Sequence, residues 1–245
     1  MKKYLSIILS LFMLFALSAC SGNSSPTIEE NNGASSNGNA SSQGISDQFK
    51  GKLAEPYMKL IASKNYMVET EIDGNSTVFA CSGDNKILVT VNINEVRLTL
   101  MKVDNRYYVA TQATKEYATV DEDFMNQLNF TRIANATAMS DLSKASFVET
   151  GSTTVGEETL TYEDYYNPLS VMTNRYYFDS EGTLKYFGAV ESDGTVSTPV
   201  RISMYETPTS AFDIVREYKR VTVDGISESI DNASGGTDAS AQAGN

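Results

Sequence analysis

The spacing of apolar positions changes twice along this chain. Between residues 45 and 63, Ile45, Phe49, Leu53, Tyr57, Leu60 and Ile61 recur every three or four positions with charged residues between them. That spacing predicts an amphipathic helix with one face on a core. Ser46 and Asp47 suit its N-cap and first turn. Pro56 falls inside the pattern, where it should kink or split the helix.

From Asn65 the period becomes two. Turn signals recur about every ten residues, at Asp73-Gly74-Asn75, Gly83-Asp84-Asn85, Asn92 to Asn94 and Asp104-Asn105. Between them Tyr66, Val68 and Ile72 share one face. So do Ile87, Val89 and Val91, then Val96, Leu98 and Leu100, then Tyr107 and Val109. Glu69, Glu71, Thr90, Asn92, Arg97 and Thr99 take the opposite face. The pattern predicts antiparallel hairpins in sequence, apolar on one side and wet on the other.

A second helical or irregular segment is expected at 121–142, opened by Asp121-Glu122-Asp123 and anchored by Phe124, Leu128 and Ile133. Strands then resume at Ala145–Glu149, Glu157–Tyr166, Asn174–Asp179, Thr183–Glu191 and Val200–Glu206. Asp179-Ser180-Glu181-Gly182 and Asp193-Gly194 supply hairpin turns. The expected total is ten or eleven strands. A meander this long with one buried face must curl or be covered. The fold class expected is therefore α+β and mainly β: a long antiparallel meander curled into an incomplete barrel around an N-terminal amphipathic helix and a second helical segment.

The N-terminus has another character. Met1-Lys2-Lys3, an apolar run from Tyr4 to Ala16 and then Leu17-Ser18-Ala19-Cys20 have the build of a secretory signal. The run is short for a membrane span. Leu17 to Cys20 resembles the lipobox of bacterial lipoproteins. The resemblance implies diacylglycerol transfer to the Cys20 thiol, cleavage before it, and acyl chains such as palmitate holding the protein to a membrane. Ser21 to Gln43 is mostly Ser, Asn, Gly and Ala, which reads as a disordered tether. The expected organisation is a signal peptide at 1–19, lipidated Cys20 and tether at 20–44, one β-rich domain at 45–231 and a disordered tail at 232–245. The expected location is the extracytoplasmic face of the cell membrane. A long polar tether and no sorting signal favour a one-membrane, Gram-positive surface.

Taken together, signal, lipobox, tether, amphipathic helix, meander and helical interruption resemble the LolA/LolB and LppX-like lipoprotein carriers. Local echoes are Val148-Glu149-Thr150-Gly151 leading to Val155-Gly156-Glu157-Glu158, and Arg175-Tyr176-Tyr177-Phe178-Asp179 followed by Gly182-Thr183-Leu184. The resemblance covers roughly residues 45–215 and implies a concave apolar surface suited to acyl chains.

Charge narrows the partners. The chain carries 31 acidic and 19 basic residues, for a net charge of −12. Loss of Lys2 and Lys3 with the signal takes it to −14. Such a surface repels nucleic acid and anionic lipid head groups alike, so membrane attachment falls to the lipid. There is no His and no Trp, which removes the commonest general base and zinc ligand. Cys81 has no partner if Cys20 carries lipid, and reads as a buried, inert thiol.

The acidic pairs Glu29-Glu30, Glu157-Glu158 and Glu163-Asp164 sit in expected turns or on wet faces, so glycoside chemistry is not expected. Asp121 to Asp123 lack EF-hand spacing. No phosphate loop or nucleophile elbow occurs. The chain is therefore not expected to be an enzyme, and no metal or cofactor is expected. Fourteen Tyr include the pairs Tyr107-Tyr108, Tyr165-Tyr166 and Tyr176-Tyr177, one of each expected inward and one outward.

Two functions remain. One is a carrier or sensor that holds a hydrophobic, lipid-like ligand between helix and curled sheet, lined by Val68, Val89, Leu98, Val109, Phe178, Leu184 and Ile202. The other is a non-enzymatic module with a filled core that binds an envelope protein.

Overall fold

A computed structural model describes residues 47–234 apart from 73, 94–95, 140–144 and 169. The expected signal, Cys20, the tether and residues 235–245 of the expected tail lie outside the described residues.

A 3-10 turn at Asp47–Phe49 precedes helix α1 (Glu55–Ser63). The expected helix is thus split. Pro56 is the reason: it lies in the first turn of α1, where its missing N–H costs nothing. Helix α1 stops at Lys64, which turns left-handed at φ 52° and donates its N–H to the Ile61 carbonyl.

Six strands follow in hairpins: β1 (Asn65–Ile72), β2 (Asn75–Ser82), β3 (Lys86–Ile93), β4 (Val96–Val103), β5 (Arg106–Thr111) and β6 (Glu116–Val120). Helices α2 (Glu122–Gln127) and α3 (Phe130–Thr137) fill the expected second segment. The Asp121 carboxylate caps α2 by accepting the Phe124 N–H at 2.8 Å. Five strands come next: β7 (Ser146–Val155), β8 (Glu158–Asn167), β9 (Met172–Phe178), β10 (Leu184–Val190) and β11 (Val200–Glu206). The chain ends in α4 (Ile214–Glu217), β12 (Lys219–Arg220) and α5 (Val223–Ser234).

All twelve strands make one sheet in the order β12-β6-β5-β4-β3-β2-β1-β11-β10-β9-β8-β7. Two hairpin runs are therefore sewn together by the β1–β11 pairing, in which Val68 faces Met204. The sheet is mixed, because β12 pairs with β6 in parallel, and it is not closed. An open sheet of this kind is compatible with an incomplete barrel.

Register carries one apolar row across half the sheet: Met204, Val68, Phe79, Val89, Leu100, Val109 and Ala118 stand opposite one another in turn. All are buried. Helices α1, α3 and α5 pack on this inner face. Beyond α3, the Met139 N–H donates to the Tyr66 hydroxyl at 3.1 Å, and Phe130 meets the Tyr107 ring edge-on at 6.4 Å. Helix α5 reaches the same face, where Ser229 donates to Glu116 at 2.6 Å. Ile226 of α5 is fully buried, so this helix belongs to the fold as far as Ser234.

The expected wet side of the first hairpins is wet only in part: Glu69 and Glu71 are exposed, but the rest of that side is covered. Val78, Ala80, Leu88 and Met101 form a second core there, packed against Met67, Val103, Tyr108 and Phe212. Thr90 and Thr99 share that buried face and hydrogen-bond each other at 2.9 Å. The cause is that β2, β3 and β4 are apolar at both parities, and the 3-10 turn Thr209–Phe212 returns to cover the side that faces away from the helices.

A second difference concerns β7. The segment Ala145–Glu149 was expected to end in a turn, but the strand continues through Gly151 to Val155 and turns at Gly156, whose φ is +63°. Gly151 permits this because the ring of Tyr162 lies across it. A Cβ at Gly151 would come within 2.6 Å of the Tyr162 hydroxyl. An aromatic side chain laid over a strand glycine replaces the packing the glycine lacks.

Candidate functional site

The seven residues expected to line a ligand cavity all lie on the inner face. Their exposures are Val68 2%, Val89 0%, Leu98 6%, Val109 0%, Phe178 0%, Leu184 3% and Ile202 2%. The structure spreads them along the sheet: Val68, Val89 and Val109 share one row, while Phe178 and Leu184 pair with each other beyond β11. The chain's own side chains stand over them. Phe49 and Ala54 are fully buried, Met58 is 3% exposed, and Ile133 of α3 is 2% exposed. Tyr57 of α1 packs on Phe178 at 6.0 Å and accepts the Leu184 N–H at 2.8 Å.

The N-terminal segment is fastened by a carboxylate. Glu163 on the inner face of β8 accepts the N–H groups of Leu53 and Ala54, each at 3.0 Å, and the Tyr165 hydroxyl at 2.9 Å. It is 4% exposed, so all three donors are satisfied away from water, as buried polar groups require. The ring of Tyr165 stacks on Phe49 at 4.2 Å and meets Phe147 and Tyr176 edge-on. Burial, followed by the charge and hydrogen bond of Glu163, pushes the Tyr165 phenol far above its ordinary range.

The next residue points the other way. Asp164, 2% exposed, takes a two-pronged pair from Arg175 of β9: Nε to Oδ1 and Nη2 to Oδ2, both 2.7 Å. The guanidinium lies on the Tyr162 ring at 3.7 Å and also reaches Glu149 at 3.2 Å. The hydrogen bonds that Arg175 donates to Asp164 hold its guanidinium protonated even beyond its usual range. Glu163-Asp164 is therefore not the solvated pair expected from sequence. Adjacent strand residues face opposite sides, and each carboxylate found its own donors. A clue was present: Arg175 is the lone cation between Lys144 and Lys185.

The tyrosine pairs alternate as expected. Tyr165 and Tyr176 face inward, and Tyr166 and Tyr177 face outward. Tyr177 is nevertheless 2% exposed, while Tyr166 is 38% exposed. Cys81 is buried, and burial pushes its thiol up from its ordinary value. Both observations fit an inert core thiol.

The least covered part of the sheet is its β7 end. Val148 is 53% exposed beside a bulge between Phe147 and Glu149. Nearby, Tyr166 pairs with Ser146, and the β8–β9 turn carries Val171, which is 74% exposed at φ +55°. A β-branched residue rarely takes a positive φ. Glu157 and Glu158 are exposed at the β7–β8 turn.

Among the described residues no cluster of His, Cys, Asp or Glu has metal-binding geometry, and no helix is long and apolar enough to cross a membrane. Neither a family model nor a curated protein matches this chain. Its structure is weakly similar to several solved structures. An uncharacterized conserved protein from Thermus thermophilus is 9% identical with a TM-score of 0.33, over 69% of this chain and 98% of that one. The MucA/MucB complex of Pseudomonas aeruginosa is 12% identical with a TM-score of 0.33, over 70% of this chain and 64% of that one. A DUF1329 family protein from Desulfovibrio piger is 10% identical with a TM-score of 0.22, over 62% of this chain and 88% of that one.

Proposed function

We propose that this protein is a lipid-anchored, extracytoplasmic binding module, tethered through Cys20, whose folded domain engages another protein of the cell envelope. One observation carries the reading: side chains of the chain itself stand over the inner face of the sheet. Phe49, Ala54, Met58, Ile133 and Ile226 are 0–3% exposed, which supports a filled interior over an acyl-chain cavity. Close-packed interiors leave few voids larger than water. Recognition then falls to the outside of the sheet and its edge. Among the described residues the buried carboxylates, Glu163 and Asp164, are both engaged in structural pairs, which supports a binding role.

Native mass spectrometry of the mature chain purified from membranes, followed by organic extraction, tests this reading. The expected result is the mass of the chain with its N-terminal lipid and no second lipid. A stoichiometric second lipid would replace the proposal with the carrier reading. The anchor is tested separately: Cys20→Ser should release the protein or leave its signal attached. Unchanged size and membrane association would remove the anchor.

A further inference from the structure

We infer that the free edge of β7 (Ser146–Val155) is a docking site, and that it takes an extended segment of another protein bearing Lys or Arg, added to the sheet as a further strand. This deepens the envelope-binding reading and rests on it.

An exposed strand edge presents N–H and C=O groups from every second residue, and folded proteins usually blunt it with short length, charge or proline. Strand β7 is ten residues long, and among the described residues it pairs only with β8. From Thr150 to Val155 it has neither a charge nor a proline. Its single irregularity, the bulge after Phe147, leaves the last seven residues in regular register with β8. A segment that pairs with such an edge gains affinity from main-chain bonds and specificity from alternate side chains.

Charge selects the occupant. From Ala145 to Asn174 the chain carries five acidic residues and no basic one. Glu157 and Glu158 stand exposed at one end of the edge, and Glu149 is 54% exposed near the other. Among the described residues the nearest cations are engaged: Lys52 sits 3.6 Å over the Phe147 ring, and Arg175 is held by Asp164. A second copy would set two acidic hairpins against each other, and like charges across a strand pair repel. The chain's own ends are no better matched. Residues 20–44 contain Glu29 and Glu30, residues 235–245 contain Asp238, and neither stretch has a basic residue. A basic strand from another protein meets the acidic end at Glu157-Glu158, while Val148, Tyr166 and Val171 offer apolar contact at the opposite end.

The test is amide hydrogen exchange on the mature protein with a synthetic decapeptide of alternating lysine and valine. Two controls accompany it: the same peptide N-methylated at alternate residues, and its glutamate-for-lysine counterpart. The expected result is new protection at 146–155 with the lysine peptide alone. The double substitution Glu157→Lys with Glu158→Lys should weaken its binding about fivefold, as two exposed charges allow. Equal binding of the N-methylated or glutamate peptide overturns the inference. So does a peptide-free dimer that protects the same strand. Protection confined to another surface removes the edge assignment and leaves the envelope-binding reading standing. A stoichiometric lipid in the mass spectrum removes that reading instead, whatever the peptides do.

Discussion

The two ends of the sheet are built differently. At one end β12 is two residues long, carries Lys219 and Arg220, and runs parallel to β6. Helix α5 lies alongside with Ile226 fully buried and Ser229 bonded to Glu116. That end is short, charged and covered. At the other end β7 offers ten residues, mostly exposed, protected among the described residues by little more than a bulge and the charge of Glu149. Folded chains blunt their edges because bare ones pair indiscriminately. A chain that seals one end and leaves the other bare marks the bare end as the place to look for a partner.

Paired truncations would sharpen this contrast most. Glu163→Ala, beneath the open end, would strip acceptors from the buried Ala54 N–H, the part-buried Leu53 N–H and the Tyr165 hydroxyl. Each orphaned donor costs about 1–3 kcal/mol, so a loss of about 3–4 kcal/mol is expected in urea denaturation. Ile226→Ala, at the sealed end, should cost about 3 kcal/mol through the cavity it leaves. Hydrogen exchange separates the two: the first should release protection in β7 and β8, the second in β5 and β6. The same strands responding to both variants would abolish the distinction between the ends.

A smaller effect of opposite sign is expected at the open end. Val171→Gly should stabilise the protein by about 1 kcal/mol, since glycine takes a positive φ without the clash a β-branched side chain suffers. A loss of stability would mean that the exposed valine side chain makes a contact that outweighs its backbone.

The smallest effect is on pH dependence. Burial, then the hydrogen bond and charge of Glu69, push the phenol of Tyr205 up to about 12. Tyr66, Tyr165 and Tyr176 are raised further, by burial first in each case. A group whose pKa is raised by folding adds stability below its unfolded value, near 10 for tyrosine, and loses it as pH climbs to the folded value. Stability should therefore fall above about pH 10, and Tyr205→Phe should make the fall between pH 10 and 12 shallower. Identical alkaline unfolding curves for the variant and the parent would remove Tyr205 from this account.

Much of the fold was legible because period-two apolarity is a local signal. Tyr66, Val68, Val89, Leu98 and Val109 announce their common face without reference to the rest of the chain, and turns such as Asp179 to Gly182 announce the hairpins. The Asp179 carboxylate indeed accepts the N–H groups of Glu181 and Thr183, at 3.0 and 2.8 Å. The second core was less legible. Leu88 and Met101 were there to be read at the other parity, but what covers them, Phe212, lies more than a hundred residues away.

The candidate site depended still more on tertiary structure. Glu163 and Asp164 look alike in sequence. Only the β8–β9 register sets Asp164 opposite Arg175, and only the packing of residues 47–54 brings two free N–H groups to Glu163. Likewise the expected strand Ala145–Glu149 stops short of Gly151, and only the ring of Tyr162 lying across that glycine carries the strand on. The sequence by itself determined the strands, their apolar face, the acidic character and the lipobox-like motif, because each rests on neighbours a few residues apart. Tertiary structure decided that both faces of the first hairpins are covered, which carboxylates are buried and which edge lies least covered among the described residues. Those outcomes depend on long-range pairings whose partners no local pattern names.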